Sequence, residues 1–182
     1  DAALQKARGY FEQTLASFRA RGRHDRTARF LLPLAEVLQK LEDWPALQQL
    51  AQEGIRLHHN DLFLLARDYG YLAEVALAQY KDKYKDKPKE KHLSEARGFA
   101  QQALDLAKQT AHSLQGRSTN IMQATALRYY AGRYLYLLAI AQQLQGQSET
   151  AIQNLEKARI YAHPSYNLSL HLNILKRLRD LY

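Results

Sequence analysis

The sequence predicts an all-α protein of about eight helices, and three observations lead there. Apolar residues recur at three- and four-residue spacing along nearly every segment, the period of an amphipathic helix. Only four prolines and eight glycines punctuate 182 residues, too few for the tight turns of an all-β chain. No segment sustains the strict alternation of a half-buried strand.

The first helix is expected over residues 2–21, with Leu4, Ala7, Phe11, Leu15 and Phe18 on one face and Gly22 stopping it. A second spans residues 26–41. Pro33 inside it predicts a kink or a later start, since an interior proline costs ~3 kcal/mol. Trp44-Pro45 marks a turn, with Pro45 near the first position of a third helix, where its missing N–H does no harm. Asn60 and Asp61 are natural N-caps for a fourth helix running to about residue 80 or 83, and a lysine-rich link around Pro88 follows. A fifth helix, about residues 91–114, ends near Gly116. Ser118 or Thr119 is the expected cap of a long sixth through Gln145, stopped by Gly146. Ser148 is the expected cap of a seventh to about Ala162, with Glu149 suiting the positive helix end. Pro164-Ser165 is expected to open an eighth that runs to Tyr182.

A length of 182 residues suits a single domain of roughly 100–200 residues. The absence of cysteine excludes a disulfide scaffold, a thiol nucleophile and thiolate-bound zinc or iron–sulfur chemistry. No apolar run reaches the roughly 18–20 residues that span a bilayer, and Asp1-Ala2-Ala3-Leu4 has neither an initiator methionine nor signal-peptide architecture. A piece of a longer or processed protein, in the cytoplasm and without membrane insertion, is therefore expected. The net charge of +8 raises encounter rates with anionic partners, whether nucleic acid, acidic peptides or membrane surfaces. It is spread over the chain, with no cluster of lysine or arginine alone.

Three helices carry one spacing, in steps of four, three and five residues. The sets are Leu47, Ala51, Gly54, His59; then Ala100, Leu104, Ala107, His112; then Ala151, Leu155, Ala158, His163. Short side chains at such steps let a helix lie close against its neighbour. Each set follows a longer helix, so the unit is a helical hairpin repeated three times. The first helix would pack on one end of the stack and the eighth would cap the other.

In these features the chain resembles the tetratricopeptide repeat family. The third unit carries the resemblance best, with Leu138-Ala139, Gly146, Ala151, Leu155, Ala158 and Pro164. The first unit has Leu34-Ala35, Leu38, Trp44, Leu47, Ala51 and Gly54; the second has Tyr69-Gly70 and then departs at its lysine-rich insertion. A period near 52 rather than the family's 34 is a second departure. The resemblance implies an α-α superhelix of about three hairpins with flanking helices, whose first helices line a concave face that binds peptide segments. Stacked hairpins expose a continuous groove that no single hairpin owns.

On the sixth helix Tyr129, Arg133, Tyr136, Ile140 and Gln143 form one stripe, while Tyr130, Tyr134, Leu137 and Ala141 form the next. The family register turns Arg133, Tyr136 and Ile140 towards the groove, with Arg67, Tyr71 and Glu74 of the fourth helix and Arg29, Leu32 and Glu36 of the second. Arg29, Arg67, Tyr71, Tyr129, Arg133 and Tyr136 are thus the candidate partner-binding residues, because tyrosine rings and arginine forks suit recognition surfaces. The same tyrosines also suit packing between layers. Some family members hold an acidic C-terminus with lysine and asparagine, but the matching positions here have no such asparagines.

Other chemistry finds little footing. His58 and His59 point about 100° apart on a helix and make a poor chelating pair, while His59, His112 and His163 suit bonds to the last helix carbonyls. No glycine-rich phosphate loop or nucleophile elbow occurs. The mixed run Lys81 to Lys91 could touch phosphates by charge alone, but it suits a solvated loop as well. The expected function is a non-enzymatic, cofactor-free module of a regulatory or scaffolding protein, binding a protein or peptide, an acidic one included. The alternatives are a nucleic-acid-binding helical repeat and a structural or dimerising spacer.

Overall fold

The computed structural model describes residues 2–81, 89–113, 121–165 and 167–182. Among them are eight helices and no strand: α1 (Ala2–Ala20), α2 (His24–Lys40), α3 (Trp44–Leu57), α4 (Leu62–Lys81), α5 (Lys89–Ser113), α6 (Ile121–Leu144), α7 (Ser148–Tyr161) and α8 (Leu168–Leu181). The expected stops and caps at Gly116, Ser118 and Thr119, and most of the run from Lys81 to Lys91, lie outside the described residues.

Each helix packs on the next one in the chain, and α4 also meets α6 directly. The spacing read from the sequence explains much of this packing. Leu47, Ala51 and Gly54 of α3, Ala100, Leu104 and Ala107 of α5, and Ala151, Leu155 and Ala158 of α7 are all buried. Each fully buried leucine among them contributes about 1.5–3 kcal/mol. One core cluster joins α1 to α4 through Leu15, Leu31, Leu38, Leu47 and Val75. A second joins α4 to α8 through Ala73, Ala100, Leu138, Leu155 and Ile174. Helix α4 feeds both, with Leu72 and Val75 in one and Ala73 and Ala76 in the other.

Three of the turns share one hydrogen-bond pattern. Arg23 N–H donates to the Phe18 carbonyl at 3.0 Å, Asp43 N–H to the Leu38 carbonyl at 3.0 Å, and Gln147 N–H to the Gln142 carbonyl at 2.9 Å. Each is a Schellman closure with a left-handed residue before the donor. Gly22 (φ 63°) and Gly146 (φ 78°) fill that position twice, as a glycine should, but Glu42 (φ 55°) fills it between α2 and α3. A side chain in this conformation costs roughly 1–2 kcal/mol.

Three local expectations need correction. Helix α2 does not start after Pro33 but runs from His24 to Lys40 with the proline inside it, where Leu31, Leu34, Ala35 and Leu38 on both sides of it are buried in one cluster. Ser148 is already helical; the Gly146 turn places Gln147 at the N-cap, with no side-chain bond there. Pro164-Ser165 does not open α8. Asn167 does, its Oδ1 accepting the Leu170 N–H at 2.8 Å. The cap expected at Asp61 is present, with its Oδ1 accepting from both Phe63 and Leu64 N–H at 3.1 Å.

Candidate functional site

The even-numbered helices lie in a row, tied across by polar side chains. Arg67 of α4 donates to Glu36 of α2 at 2.8 Å. Glu74 of α4 accepts the Gln39 amide from α2 on one oxygen and the Arg133 guanidinium from α6 on the other, with Arg133 Nε at 2.8 Å. Arg177 of α8 donates to Gln143 of α6 at 2.5 Å and to the Tyr136 hydroxyl at 3.5 Å, with its guanidinium 5.9 Å from the Tyr136 ring centre. This row is the face that the family register assigned to recognition.

The six candidate residues divide along it. Arg29 is exposed and makes no hydrogen bond or ion pair with the described residues. Tyr129 and Tyr136 are half-buried. Arg67 and Tyr71, expected open on the face, are 8% and 4% exposed. Arg67 lies 4.8 Å from the Tyr130 ring centre and 5.9 Å from that of Phe63, and Tyr71 lies 5.9 Å below Arg133. Burial pushes the Tyr71 hydroxyl up to about 12 despite the two nearby arginines. Burial opposes the Arg133 charge, but Glu74 more than compensates and holds its pKa above the ordinary arginine value. Arg67, Tyr71 and Arg133 therefore carry the row internally and leave Arg29, Tyr129 and Tyr136 as the accessible members.

Beside the row lies a cleft of about 730 Å³, within the usual range for ligand sites of roughly 300–1,000 Å³. Trp44 and Pro45 come from the start of α3, Glu74 and Leu77 from α4, and Leu137 and Ile140 from α6. Glu42 and Lys81 also line it. Both are exposed, and neither has an ion-pair partner among the described residues. Glu74 and Ile140 were assigned to the groove by the family register; Trp44, Leu77 and Glu42 were not. The left-handed backbone at Glu42, where the equivalent turns hold Gly22 and Gly146, is seen only in the structure.

A buried ion pair sits where α2, α3 and α4 converge. His58 Nδ1 lies 2.6 Å from Asp68 Oδ2 and Nε2 lies 3.0 Å from the Ala28 carbonyl oxygen. The Ala28 carbonyl can only accept, so Nε2–H donates to it, and with Asp68 ionised Nδ1–H donates as well and the imidazole is cationic. Burial disfavours that charge, but the bonds to Asp68 and Ala28 outweigh it and raise the His58 pKa. Burial raises the Asp68 pKa against the pull of His58. The pair exists because residue 54 is glycine: a Cβ there would stand 2.6 Å from Asp68 Cγ. The expected carbonyl bond is made by His59, to Arg56 at 3.1 Å. His163 accepts the Ser165 N–H, and His171 donates to the Ala162 carbonyl at 2.8 Å. Among the described residues no three histidine, aspartate or glutamate side chains converge to hold a metal ion, and no helix is long and apolar enough to cross a membrane.

No protein-family model matches the chain, and no curated protein matches it.

Proposed function

We propose that the chain is a tetratricopeptide-like array of helical hairpins, a binding module without enzymatic activity, which takes a peptide segment of a partner protein along the α2, α4 and α6 row. The observation that carries this reading is the cleft at which α3, α4 and α6 meet. A site shared by helices of three successive hairpins is what stacking supplies and an isolated hairpin cannot.

An apolar side chain of the peptide would enter against Trp44, Leu77 and Ile140. Its burial is worth about 1.5–3 kcal/mol, and a few such anchors dominate the affinity of a small interface. Glu42 and Lys81 at the rim offer a carboxylate and an ammonium to the peptide's polar groups. Arg29 and Tyr136, further along the row, add directional contacts. The salt-bridged interior of Arg67, Glu74 and Arg133 would keep these groups in place before the peptide arrives, which lowers the ordering cost of binding.

Panning a random peptide library against the chain tests this. The expected result is enrichment of sequences with a large apolar residue, whose affinity falls at least tenfold in both Trp44→Ala and the cleft-filling Ala78→Phe. No enrichment, or peptides indifferent to both substitutions, would contradict it.

A further inference from the structure

Helices α5 and α7 pack on α6 from two sides and leave a second cleft between them, of about 530 Å³. The volume falls in the range of small-molecule sites, roughly 300–1,000 Å³. Leu104, Leu135 and Leu138 line it and are buried. Ile160 and Tyr161 stand at its rim, 76% and 42% exposed. Leu135 and Leu138 are each two positions, about 200° of helix, from Leu137 and Ile140 of the first cleft. The two clefts therefore lie on opposite flanks of α6.

The polar groups say what kind of molecule fits. Gln142 lines the cleft and is only 8% exposed. Its oxygen accepts the Asn154 amide at 2.8 Å, while its own amide nitrogen has no partner among the described residues. Buried polar groups are normally paired, so this donor calls for an acceptor that enters the cleft. Lys157 follows Asn154 on the same face of α7, about 4.5 Å further along the axis. It has no ion-pair partner among the described residues, and its neighbours three and four positions away are Gln153, Asn154, Ile160 and Tyr161. Lys108 lines the α5 wall. Its one nearby acid, Asp105, is 4.0 Å away and already holds the Gln101 amide at 3.0 Å. Both charged groups among the described lining residues are thus cations, whereas the first cleft contains Glu42 and Glu74.

The cleft also has a direction. Asn154 marks the Gln142 end, and Gly132 marks the other, where an added Cβ would stand 3.2 Å from Tyr161 Cβ. From Asn154 to Tyr161 the helix advances roughly 10 Å, the reach of an alkyl chain of about eight carbons.

We propose that this cleft binds a small amphiphilic carboxylate, a free medium-chain alkanoate. Its carboxylate accepts from the Gln142 amide and the Lys157 ammonium, a charge-assisted pair of bonds. Its chain lies over Leu104, Leu135 and Leu138 and takes Ile160 out of water, which supplies the apolar part of the affinity. The site does not depend on the peptide reading of the first cleft.

The probe is sodium octanoate, titrated into the isotope-labelled chain and followed by two-dimensional NMR. Octan-1-ol and octyltrimethylammonium keep its chain without the negative charge, and an acetylated tetrapeptide ending in leucine presents the carboxylate on a peptide instead. Octanoate is expected to give saturable shifts at Leu138, Lys157 and the Gln142 side-chain amide, with a Kd below about 1 mM. Octan-1-ol and the tetrapeptide should bind at least fivefold more weakly, and octyltrimethylammonium should not bind. Lys157→Glu, at an exposed position, should weaken octanoate at least tenfold, while Ala78→Phe in the first cleft should leave it unchanged. Four results would overturn the proposal: no saturation by about 10 mM octanoate, shifts confined to the first cleft, equal affinity for octan-1-ol or the tetrapeptide, or unchanged affinity in Lys157→Glu.

Discussion

Glu74 on α4 holds the Arg133 guanidinium of α6 on one carboxylate oxygen and the Gln39 amide of α2 on the other. A single side chain thereby ties three helices of the row. Both members of the ion pair are largely buried, at 18% and 13% side-chain exposure, so removing one strands the other. Glu74→Ala is expected to cost about 3–5 kcal/mol, a fall in Tm of roughly 10 °C for a domain of this size. Replacing both residues with leucine should recover much of it. A single-variant shift under about 2 °C would show that the pair contributes little.

The Gly54–Asp68 contact makes a second prediction. Gly54→Ala should cost about 1–3 kcal/mol through overpacking, because the methyl displaces Asp68 from His58. In an Asp68→Ala background the same substitution should cost almost nothing, since the atoms it meets are gone. A double-mutant cycle by chemical denaturation checks this; additive costs would place the strain elsewhere.

The pH dependence follows from His58. Its folded pKa is raised, so its stabilising contribution is complete below the unfolded value near 6.5 and is lost as pH rises through the higher folded value. Stability measured by denaturant midpoint should therefore decline upwards from about pH 6.5, and the decline should be absent in His58→Gln. A wild-type midpoint that is flat across this range would contradict the assignment.

Glu42 occupies a left-handed position that glycine fills at Gly22 and Gly146. Glu42→Gly is expected to stabilise the fold by about 1 kcal/mol. On the proposed function it should also weaken peptide binding, because the carboxylate leaves the rim of the cleft. A variant of unchanged stability would mean that the turn is not strained by its side chain.

The Tyr134 hydroxyl is buried with no hydrogen-bond partner among the described residues, and burial drives its pKa far up. Tyr134→Phe removes an unpaired polar group while keeping the ring against Gly70 and Tyr130. The expected effect is neutral to stabilising by about 1 kcal/mol. A loss of stability would contradict this.

The helices and their packing faces were legible in the sequence because burial imposes a period. Leu47, Ala51 and Gly54 and their counterparts in α5 and α7 lie where their spacing says they should. Contacts between helices far apart in sequence were not legible. Spacing alone cannot say that Arg133 finds Glu74, 59 positions away, while Arg29 finds no acid among the described residues. His58 read only as a poor chelating partner of His59, because its burial depends on the room left by Gly54 and on Asp68 across a turn. Helix starts also escaped at Ser148 and Pro164, where a neighbouring turn and the Asn167 side chain decided the boundary.

The cleft contains Trp44, the only tryptophan in the chain, so its emission reports directly on the proposed site. The decisive measurement is a titration of a library-selected peptide followed by Trp44 fluorescence at 50 and 200 mM salt. The account predicts a saturable emission change, abolished by Ala78→Phe, with an affinity that varies little between the two salts. Saturable binding that leaves Trp44 emission unchanged, or an affinity that falls by roughly a thousandfold between those salts as phosphate-type contacts require, would contradict it.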